Sequence, residues 1–304
     1  MIINDNNPSV SEAESKLLKL TDGKIFTKFY GKQKQDQLTL ICIHGGPGFS
    51  CDYLEPLGKL KDLLPVVLYD QLGSGLSERP ESAELYNKER FLGELKELIS
   101  TLKINSYVLY GHSWGAALAL MLAAQQPAGL KGLVLASPAI DMPAWQEYTL
   151  ELIKTINPQA EEIIKSFLNK RDHQAVQNFF ELNSLYAKKH LCKLNPLPLG
   201  LIRSNAKSSP YVYNLMWGPS EFVLTGSLAK VDLKELLPLV RTRSLVTIGA
   251  DDEVSADQAL NFCSLLKNAT GSGVEIFLQS SHNPHYEEQD LYLEKITKFL
   301  NLIK

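Results

Sequence analysis

The segment "GHSWG", residues 111–115, places a serine between two glycines. The apolar run Tyr107–Tyr110 precedes it, and the alanine-rich run "AALALMLAA" follows it. In a chain with 19 glycines the pattern could arise by chance. Between a strand and a helix, however, Gly-x-Ser-x-Gly is typical of a sharp turn that holds a serine hydroxyl above the end of a sheet. Ser113 is therefore a candidate nucleophile.

A serine hydroxyl attacks a carbonyl group efficiently only when a base takes its proton and an acid orients that base. Later in the chain, "GADDEV" offers Asp251 or Asp252 as the acid, and "QSSHNPHYEE" offers His282 or His285 as the base. Both segments follow apolar runs that predict strands. The chain order of serine, aspartate and histidine is that of the α/β-hydrolases. Spacing alone leaves the choice within each pair open.

The glycine-rich segment "IHGGPGF" follows the apolar run Leu38–Ile43. Acyl transfer puts negative charge on the carbonyl oxygen, and each backbone amide aimed at that oxygen contributes about 3–4 kcal/mol. We expect one amide to come from Trp114 and the other from Gly46 rather than Gly45. His44 is expected to hold the loop by hydrogen bonds. A phosphate-binding loop is disfavoured because the segment lacks both the Lys-Ser/Thr pair and the Gly-x-Gly-x-x-Gly spacing.

Short β-rich runs alternate with helical runs, which predicts an α/β fold with a mostly parallel central sheet covered by helices on both faces. The predicted strands are Lys24–Tyr30, Leu38–Ile43, Val66–Tyr69, Tyr107–Tyr110, Gly132–Ala136, Ser244–Ile248 and Val274–Leu278. The predicted helices are Glu84–Leu102, Trp114–Gln126, Ala256–Leu266 and Gln289–Ile303.

The pattern changes between residues 138 and 227, where the chain is aromatic-rich and helical in character. The segments "LNPLPLG" and "MWGPSEF" interrupt it, and no run there predicts a strand. We therefore expect a helical cap domain at 138–227, inserted into an α/β-hydrolase core formed by residues 1–137 and 228–304. No internal repeat or low-complexity segment suggests a further domain.

Composition narrows the possible functions. The net charge is −3, with Lys and Arg spread along the chain, so we expect no nucleic-acid partner. The four cysteines have no Cys-x-x-Cys spacing, which argues against a zinc site or a disulfide framework and predicts reduced thiols in a cytoplasmic protein. The N-terminus resembles no signal peptide, and no apolar run reaches the ~18 residues that a membrane span needs.

Several motifs occur together: "HGGPGFSCDYL", "YDQLGSGLS", "GHSWGAALAL", "WGPSEF", "GADDEV" and "SSHNPHYEE". Over about Leu38 to Leu300 the chain resembles the proline iminopeptidases and related tricorn-interacting aminopeptidases of the α/β-hydrolase fold. The resemblance implies a catalytic triad without metal or other cofactor. Its nucleophile is Ser113, its acid Asp252 and its base His282, with His285 as a neighbour of the site.

The same resemblance implies recognition of a protonated α-amine by Glu221 of "GPSEF" and by Glu253, which follows the acid. The physical requirement is plain, because a buried ammonium group must be paired with negative charge. An apolar pocket for the first residue is expected, with Trp145, Trp217 and Phe222 as candidates.

The function implied is that of a serine exopeptidase that releases an N-terminal residue, with proline expected, through an acyl-enzyme. Its partners would be short peptides or aminoacyl amides with a free N-terminus. An amino-acid amidase, or a carboxylesterase or lactonase with the same triad, is the alternative. A non-catalytic ligand receptor with this fold is a further one. Dehalogenases and epoxide hydrolases are disfavoured because they use aspartate at the position of Ser113.

Overall fold

The computed structural model describes residues 13–33, 37–170 and 172–303. Its centre is an eight-stranded sheet with the order β1-β2-β4-β3-β5-β6-β7-β8. The two pairings made by β2, with β1 and with β4, are antiparallel, and the others are parallel. The strands are β1 Glu14–Leu20, β2 Gly23–Tyr30, β3 Thr39–Ile43, β4 Val66–Tyr69, β5 Tyr107–His112, β6 Leu130–Ala136, β7 Ser244–Gly249 and β8 Gly273–Phe277. The predicted mostly parallel sheet is confirmed.

Helices cover both faces of this sheet. The α-helices are α1 Lys88–Thr101, α2 Trp114–Ala123, α3 Met142–Ile156, α4 Ala160–Asn169, α5 His173–Tyr186, α6 Leu199–Ala206, α7 Pro210–Met216, α8 Ala256–Leu265, α9 Pro284–Glu287 and α10 Gln289–Asn301. A long 3-10 helix spans Cys51–Asp62, and a π-helical turn spans Ala187–Leu191. Shorter 3-10 helices lie at Ala83–Leu85 and Lys234–Leu239.

Two differences from the sequence prediction have a clear physical cause. The strand β1 was not predicted, because its side chains are mostly exposed at the sheet edge and form no apolar run. The predicted helix Glu84–Leu102 begins instead with a short 3-10 helix, and α1 starts only at Lys88. The cause is Asn87, whose side chain accepts a hydrogen bond from the Arg90 amide at 2.9 Å and so caps α1.

The central strands β3, β4 and β5 are buried throughout. Alternate side chains still face different layers, as strand geometry requires. Ile41 and Ile43 join the apolar cluster that contains α1 and α2, whereas Leu40 and Cys42 join the cluster of the 3-10 helix Cys51–Asp62 and α10. A strand covered on both faces reads as one continuous apolar run, and this made β3 to β5 predictable from the sequence.

Helices α3 to α7, which we call the cap helices, lie in the chain between the neighbouring strands β6 and β7. Phe179, Tyr186 and Phe222 belong to an apolar cluster of their own. Helix α6 is also tied to the core, since Lys207 Nζ lies 2.7 Å from the Asp52 carboxylate. The domain boundaries at residues 138 and 227 stay predictions. In the described part of the chain, no helix combines the length and apolar character needed to cross a bilayer.

The turn from β5 into α2 is compressed from both sides. Ser113 has φ 54° and ψ −121°, a conformation that costs a non-glycine residue about 1–3 kcal/mol. A Cβ atom on Gly111 would lie 2.3 Å from the Gly115 carbonyl oxygen, and one on Gly115 would lie 2.2 Å from the Ile43 carbonyl oxygen. Both glycines are therefore needed for close packing of β5, α2 and the end of β3.

Substitution Gly115→Ala tests this close packing. Because the obstructing atoms are backbone carbonyl oxygens, we expect the free energy of unfolding to fall by about 1–3 kcal/mol in urea titrations. Gly93→Ala is the matched control, since Gly93 is exposed within α1 and has no atom within 4 Å of the added Cβ. That control should stabilise the protein by about 0.5–1 kcal/mol. Equal effects of the two substitutions would contradict the packing argument.

Candidate active site

Three loops at one edge of the sheet bring the candidate residues together. The register pairs Ile43 of β3 with Tyr69 of β4 and with Gly111 of β5, so these strands end level with one another. Ser113 follows β5 in the chain, Asp252 follows β7 and His282 follows β8. The carboxyl ends of parallel strands share one edge, which is where ligands bind in α/β folds.

Asp252 and His282 are joined by a short hydrogen bond. His282 Nδ1 lies 2.7 Å from Asp252 Oδ1. The other carboxylate oxygen accepts hydrogen bonds from the Ser137 hydroxyl at 2.6 Å and from the Gly249 amide at 3.1 Å. Because Nδ1 donates to the carboxylate, a neutral His282 ring keeps the lone pair of Nε2 available as an acceptor. This is the arrangement in which an acid orients a base.

Asp251 and His285, the other candidates for the acid and the base, have different partners. The Asp251 carboxylate is half exposed and pairs with Lys193 Nζ at 2.8 Å. His285 is buried and donates from Nε2 to the Tyr53 carbonyl oxygen at 3.0 Å. Burial lowers the pKa of His285 to about 3, so its ring stays neutral. The structure thus brings Asp252 and His282 together, and it leaves Asp251 and His285 outside that hydrogen bond.

The glycine loop after β3 is held against Ser113. A Cβ atom on Gly45 would lie 2.6 Å from the Ser113 Cβ, so this backbone approaches the serine as closely as it can. The Gly45 amide is already engaged, since it donates to the Tyr53 hydroxyl at 2.6 Å. Gly46, with φ +46°, lines the same cavity as Ser113. Of the two glycines, Gly46 is the one whose amide is not bound by the Tyr53 hydroxyl, and the choice of Gly46 as an oxyanion donor stays a prediction.

His44 and Gln71 hold the glycine loop in place by hydrogen bonds. The backbone amide of Gln71 donates to His44 Nε2 at 2.9 Å. His44 therefore carries its proton on Nδ1, which donates to the Gly45 carbonyl oxygen at 2.9 Å. Burial lowers the pKa of His44, which keeps the ring neutral and its two nitrogens distinct. The Gln71 side chain also accepts a hydrogen bond from the Trp114 indole at 3.0 Å. One residue of "YDQLGSGLS" therefore links the glycine loop to the residue after Ser113.

A second chain of hydrogen bonds runs through Tyr53 and His112. The Tyr53 hydroxyl accepts from the Gly45 amide and lies 2.9 Å from His112 Nδ1. On its other side His112 donates from Nε2 to the His282 carbonyl oxygen at 2.8 Å. Burial, with His282 and His285 nearby, holds the pKa of His112 well below its usual value. A neutral His112 with its proton on Nε2 accepts from Tyr53, so the glycine loop and the histidine loop share one support.

Two buried glutamates lie beside this group. Glu221, between α7 and β7, accepts a hydrogen bond from the Tyr213 hydroxyl at 2.6 Å. Glu253 Oε2 lies 3.7 Å from His282 Nδ1, and neither Glu253 oxygen accepts a hydrogen bond of normal geometry from the described residues. Burial raises the pKa of Glu221, and burial together with the nearby Glu221 charge raises that of Glu253 well above its usual range. Such a pair favours a cation between its members.

The predicted aromatic residues are buried around the site. Trp145 lies edge-on to the His282 ring with centroids 5.8 Å apart, and its indole donates to the Glu221 carbonyl oxygen at 3.2 Å. Trp217 packs edge-on against Trp145 at 5.5 Å. Phe222 packs in the apolar cluster of the cap helices. Other described residues line the observed cavity, so the role of these three side chains as pocket walls stays a prediction.

A cavity of about 790 Å³ opens beside Ser113. Its walls include Gly45, Gly46, Ser113, Glu221 and His282. It therefore holds space for a substrate next to the serine, the base and one buried carboxylate at once. This combination suits cleavage of a carbonyl compound that carries a positive charge.

Residues 39–289 match the family model of the α/β-hydrolase fold. The chain is 32% identical to the proline iminopeptidase of Heyndrickxia coagulans over 289 residues, which cover 93% of this chain and 97% of that protein. The chain belongs to the proline iminopeptidase family of α/β-hydrolases. The resemblance inferred from the sequence motifs is confirmed.

Solved structures agree with this family. The crystal structure of VinJ superposes with a TM-score of 0.87 at 27% identity, covering 96% of this chain and 99% of that one. The crystal structure of the proline iminopeptidase of Mycobacterium smegmatis gives a TM-score of 0.83 at 25% identity, covering 95% and 98%. Each match covers at least 95% of this chain and at least 98% of the solved one, so both proteins are similar to this chain in length.

Sequence reasoning assigned no role to several residues that support this proline iminopeptidase site. The structure shows their contacts to the loops that carry Ser113, Asp252 and His282. These residues are Tyr53, Gln71, His112, Ser137 and Tyr213. Tyr53, Gln71 and His112 lie inside the quoted motifs, whereas Ser137 and Tyr213 lie outside them, so no motif pointed to those two.

Substitution Tyr53→Phe removes the hydroxyl shared by Gly45 and His112. Leaving both groups buried without a partner should lower the free energy of unfolding by about 1–3 kcal/mol and slow the labelling of Ser113 by a fluorophosphonate probe. Tyr30→Phe is the matched control, because the Tyr30 hydroxyl is buried with no hydrogen-bond partner among the described residues. Urea titration and timed labelling measure both effects. Wild-type labelling by Tyr53→Phe would refute a support role.

Proposed function

We propose that this protein is a metal-free serine exopeptidase that releases an N-terminal residue, preferably proline, from short peptides and aminoacyl amides. The observation that carries the proposal is the buried pair of Glu221 and Glu253 beside the Asp252–His282 hydrogen bond. Relatives named proline iminopeptidase point to proline as the first residue. The short approach of Gly45 to Ser113 supports an acyl-transfer mechanism.

In the proposed mechanism, His282 Nε2 takes the hydroxyl proton of Ser113 as the serine oxygen bonds to the substrate carbonyl carbon. The C–N bond then breaks, and the leaving amine receives that proton from His282. A water molecule then loses a proton to His282 as its oxygen bonds to the acyl carbon. The bond from that carbon to Ser113 Oγ breaks, Oγ takes the proton from His282, and the first residue is released. Asp252 holds the proton on Nδ1 and stabilises the imidazolium that forms between these steps.

The carbonyl oxygen becomes negatively charged when the tetrahedral intermediate forms. We propose that the amides of Gly46 and Trp114 bind it. The engaged Gly45 amide supports Gly46 for this role, and the position of Trp114 at the first turn of α2 supports the second donor. Backbone donors fixed in advance need no reorganisation as the charge develops, and each is worth about 3–4 kcal/mol.

The free amine explains the restriction to exopeptidase activity. We propose that Glu221 and Glu253 bind the protonated α-amine of the first residue, which brings the neighbouring carbonyl to Ser113. An ammonium group between them offsets the repulsion of two buried carboxylates. A blocked N-terminus lacks this charge and leaves the pair unpaired, so acetylated substrates bind poorly.

Proline naphthylamide and its N-acetyl form test this amine site. We expect kcat/KM for the free-amine substrate to exceed that of the acetylated one by about thirtyfold or more, because truncating one partner of a buried charge pair costs about 2–5 kcal/mol. Glu221→Gln should reduce this preference, whereas Glu151→Gln on the surface of α3 is the control. Ser113→Ala should abolish turnover. Equal turnover of both substrates would exclude the amine site.

The pH dependence gives a separate test. Because burial raises both glutamate pKa values, their charged forms are lost at a higher pH than the charge of an ordinary glutamate. We expect the ratio of kcat/KM for proline naphthylamide to that for a neutral p-nitrophenyl ester to fall as the pH is lowered, and to begin falling above the range in which an ordinary glutamate loses its charge. Using the ratio removes the pH dependence of the catalytic steps that both reactions share. Glu221→Gln should flatten the curve.

The alternatives make different predictions. An amino-acid amidase would cleave aminoacyl amides but few peptides, and a panel of aminoacyl naphthylamides and dipeptides separates the two. A carboxylesterase or lactonase would hydrolyse p-nitrophenyl esters with no response to Glu221→Gln. A ligand receptor would leave Ser113 unlabelled. The free thiols of Cys42, Cys51, Cys192 and Cys263 support the proposal of a cytoplasmic location.

A further inference from the structure

The cavity is much larger than the residue that the proposed reaction releases. Its volume of about 790 Å³ falls in the upper part of the ~300–1,000 Å³ range that encloses a drug-sized ligand. In the proposed mechanism the first residue occupies only the part between Ser113 and the glutamates. The remaining space must receive the atoms that follow the scissile bond.

One wall of that remaining space is apolar. It is formed by the segment that joins the π-helical turn Ala187–Leu191 to helix α6, and by the start of α6. Leu194 is 37% exposed, Leu197 is 42% exposed and Ile202 is 46% exposed. Exposed apolar side chains gathered in one place mark a binding surface more often than chance. The wall consists of Leu191, Leu194, Pro196, Leu197, Leu201 and Ile202.

Two polar side chains near this wall are engaged by the protein itself, while Lys188, Lys193, Asn195 and Asn205 also line the cavity. Ser204 donates to the Ser50 carbonyl oxygen at 2.9 Å, and Asn283 donates to the Leu191 carbonyl oxygen at 2.7 Å. Glu221 is the only acidic residue among the described residues that line the cavity. A leaving group with a second positive charge therefore finds no partner along this wall, whereas an apolar group can cover it.

We propose that the apolar wall binds the leaving group, and that the preferred substrates are aminoacyl derivatives of bulky apolar amines. This inference rests on the proposed function, because the amine at Glu221 and Glu253 sets which end of the substrate points toward the wall. The apolar group can be the side chain of a second residue or a non-peptide alkyl or aryl amine. Both present the same chemistry to Leu197 and Ile202.

Prolyl amides that differ only in the leaving group test the proposal. We expect kcat/KM for Pro-Leu-NH2 to exceed that for Pro-Gly-NH2 by about tenfold, as burial of one apolar side chain predicts. Proline hexylamide against proline methylamide makes the same comparison without a peptide. A preference in only one of the two series identifies the natural type of leaving group. Equal rates within both series would overturn the inference.

Substitutions on the segment provide the structural control. Leu197→Ser and Ile202→Ser should bring the Pro-Leu-NH2 to Pro-Gly-NH2 ratio down several-fold toward one. Leu199→Ser is the matched control, because Leu199 is 62% exposed on the same segment but does not line the cavity. This control should keep the wild-type ratio. A ratio that is unchanged by Leu197→Ser and Ile202→Ser would also overturn the inference.

A binding measurement separates this inference from the proposed function. Titration calorimetry of 2-naphthylamine with the Ser113→Ala variant needs no turnover. We expect binding that Leu197→Ser and Ile202→Ser weaken several-fold and Leu199→Ser leaves unchanged. If prolyl substrates are not cleaved but this binding pattern is observed, the proposed function is wrong, while the inference that the wall binds apolar groups is supported. Absence of binding, or equal binding by all variants, contradicts the wall.

Discussion

The close approach of three backbone segments at Ser113 is the constraint on which the rest of the site depends. Ser113 is held in a strained turn, Gly115 presses on the end of β3, and Gly45 presses on the serine itself. A side chain larger than hydrogen at either glycine would separate these segments. Strain of this kind persists only where the surroundings determine the conformation fully, and the buried strands β3 and β5 provide those surroundings.

Hydrogen bonds then extend this rigidity to the other loops. Gln71 connects the glycine loop to Trp114, and the Tyr53–His112 chain connects it to the backbone of His282. Both histidines in these chains, His44 and His112, are kept neutral by burial, so their nitrogens have fixed roles as donor and acceptor. The candidate base is thus held by a carboxylate at its ring and by a second imidazole at its backbone.

The cap segment and the core each place one buried glutamate near the base. Glu253 belongs to the loop after β7, while Glu221 and its partner Tyr213 come from the end of the cap segment. The cap also supports the core loops, because the His190 carbonyl oxygen accepts from the His282 amide at 3.0 Å and the His190 ring donates to the Asp251 carbonyl oxygen at 2.8 Å. A π-helical turn at this point agrees with the frequent occurrence of such turns at functional sites.

The sequence by itself determined the central strands, the serine turn and the loops that carry the candidate residues. Continuous apolar runs and glycine motifs are local patterns, and local patterns can be recognised in the sequence without knowledge of the fold. Strand β1 gave no such signal because its side chains are exposed. The residues alone also left two candidates for the acid, Asp251 and Asp252, and two for the base, His282 and His285. Only the family resemblance chose one of each. Tertiary structure decided which neighbour turns inward and that Tyr53 occupies the Gly45 amide. It also decided that Glu221 and Glu253 are both buried near His282. These facts depend on contacts between distant segments, and spacing along a chain does not fix such contacts.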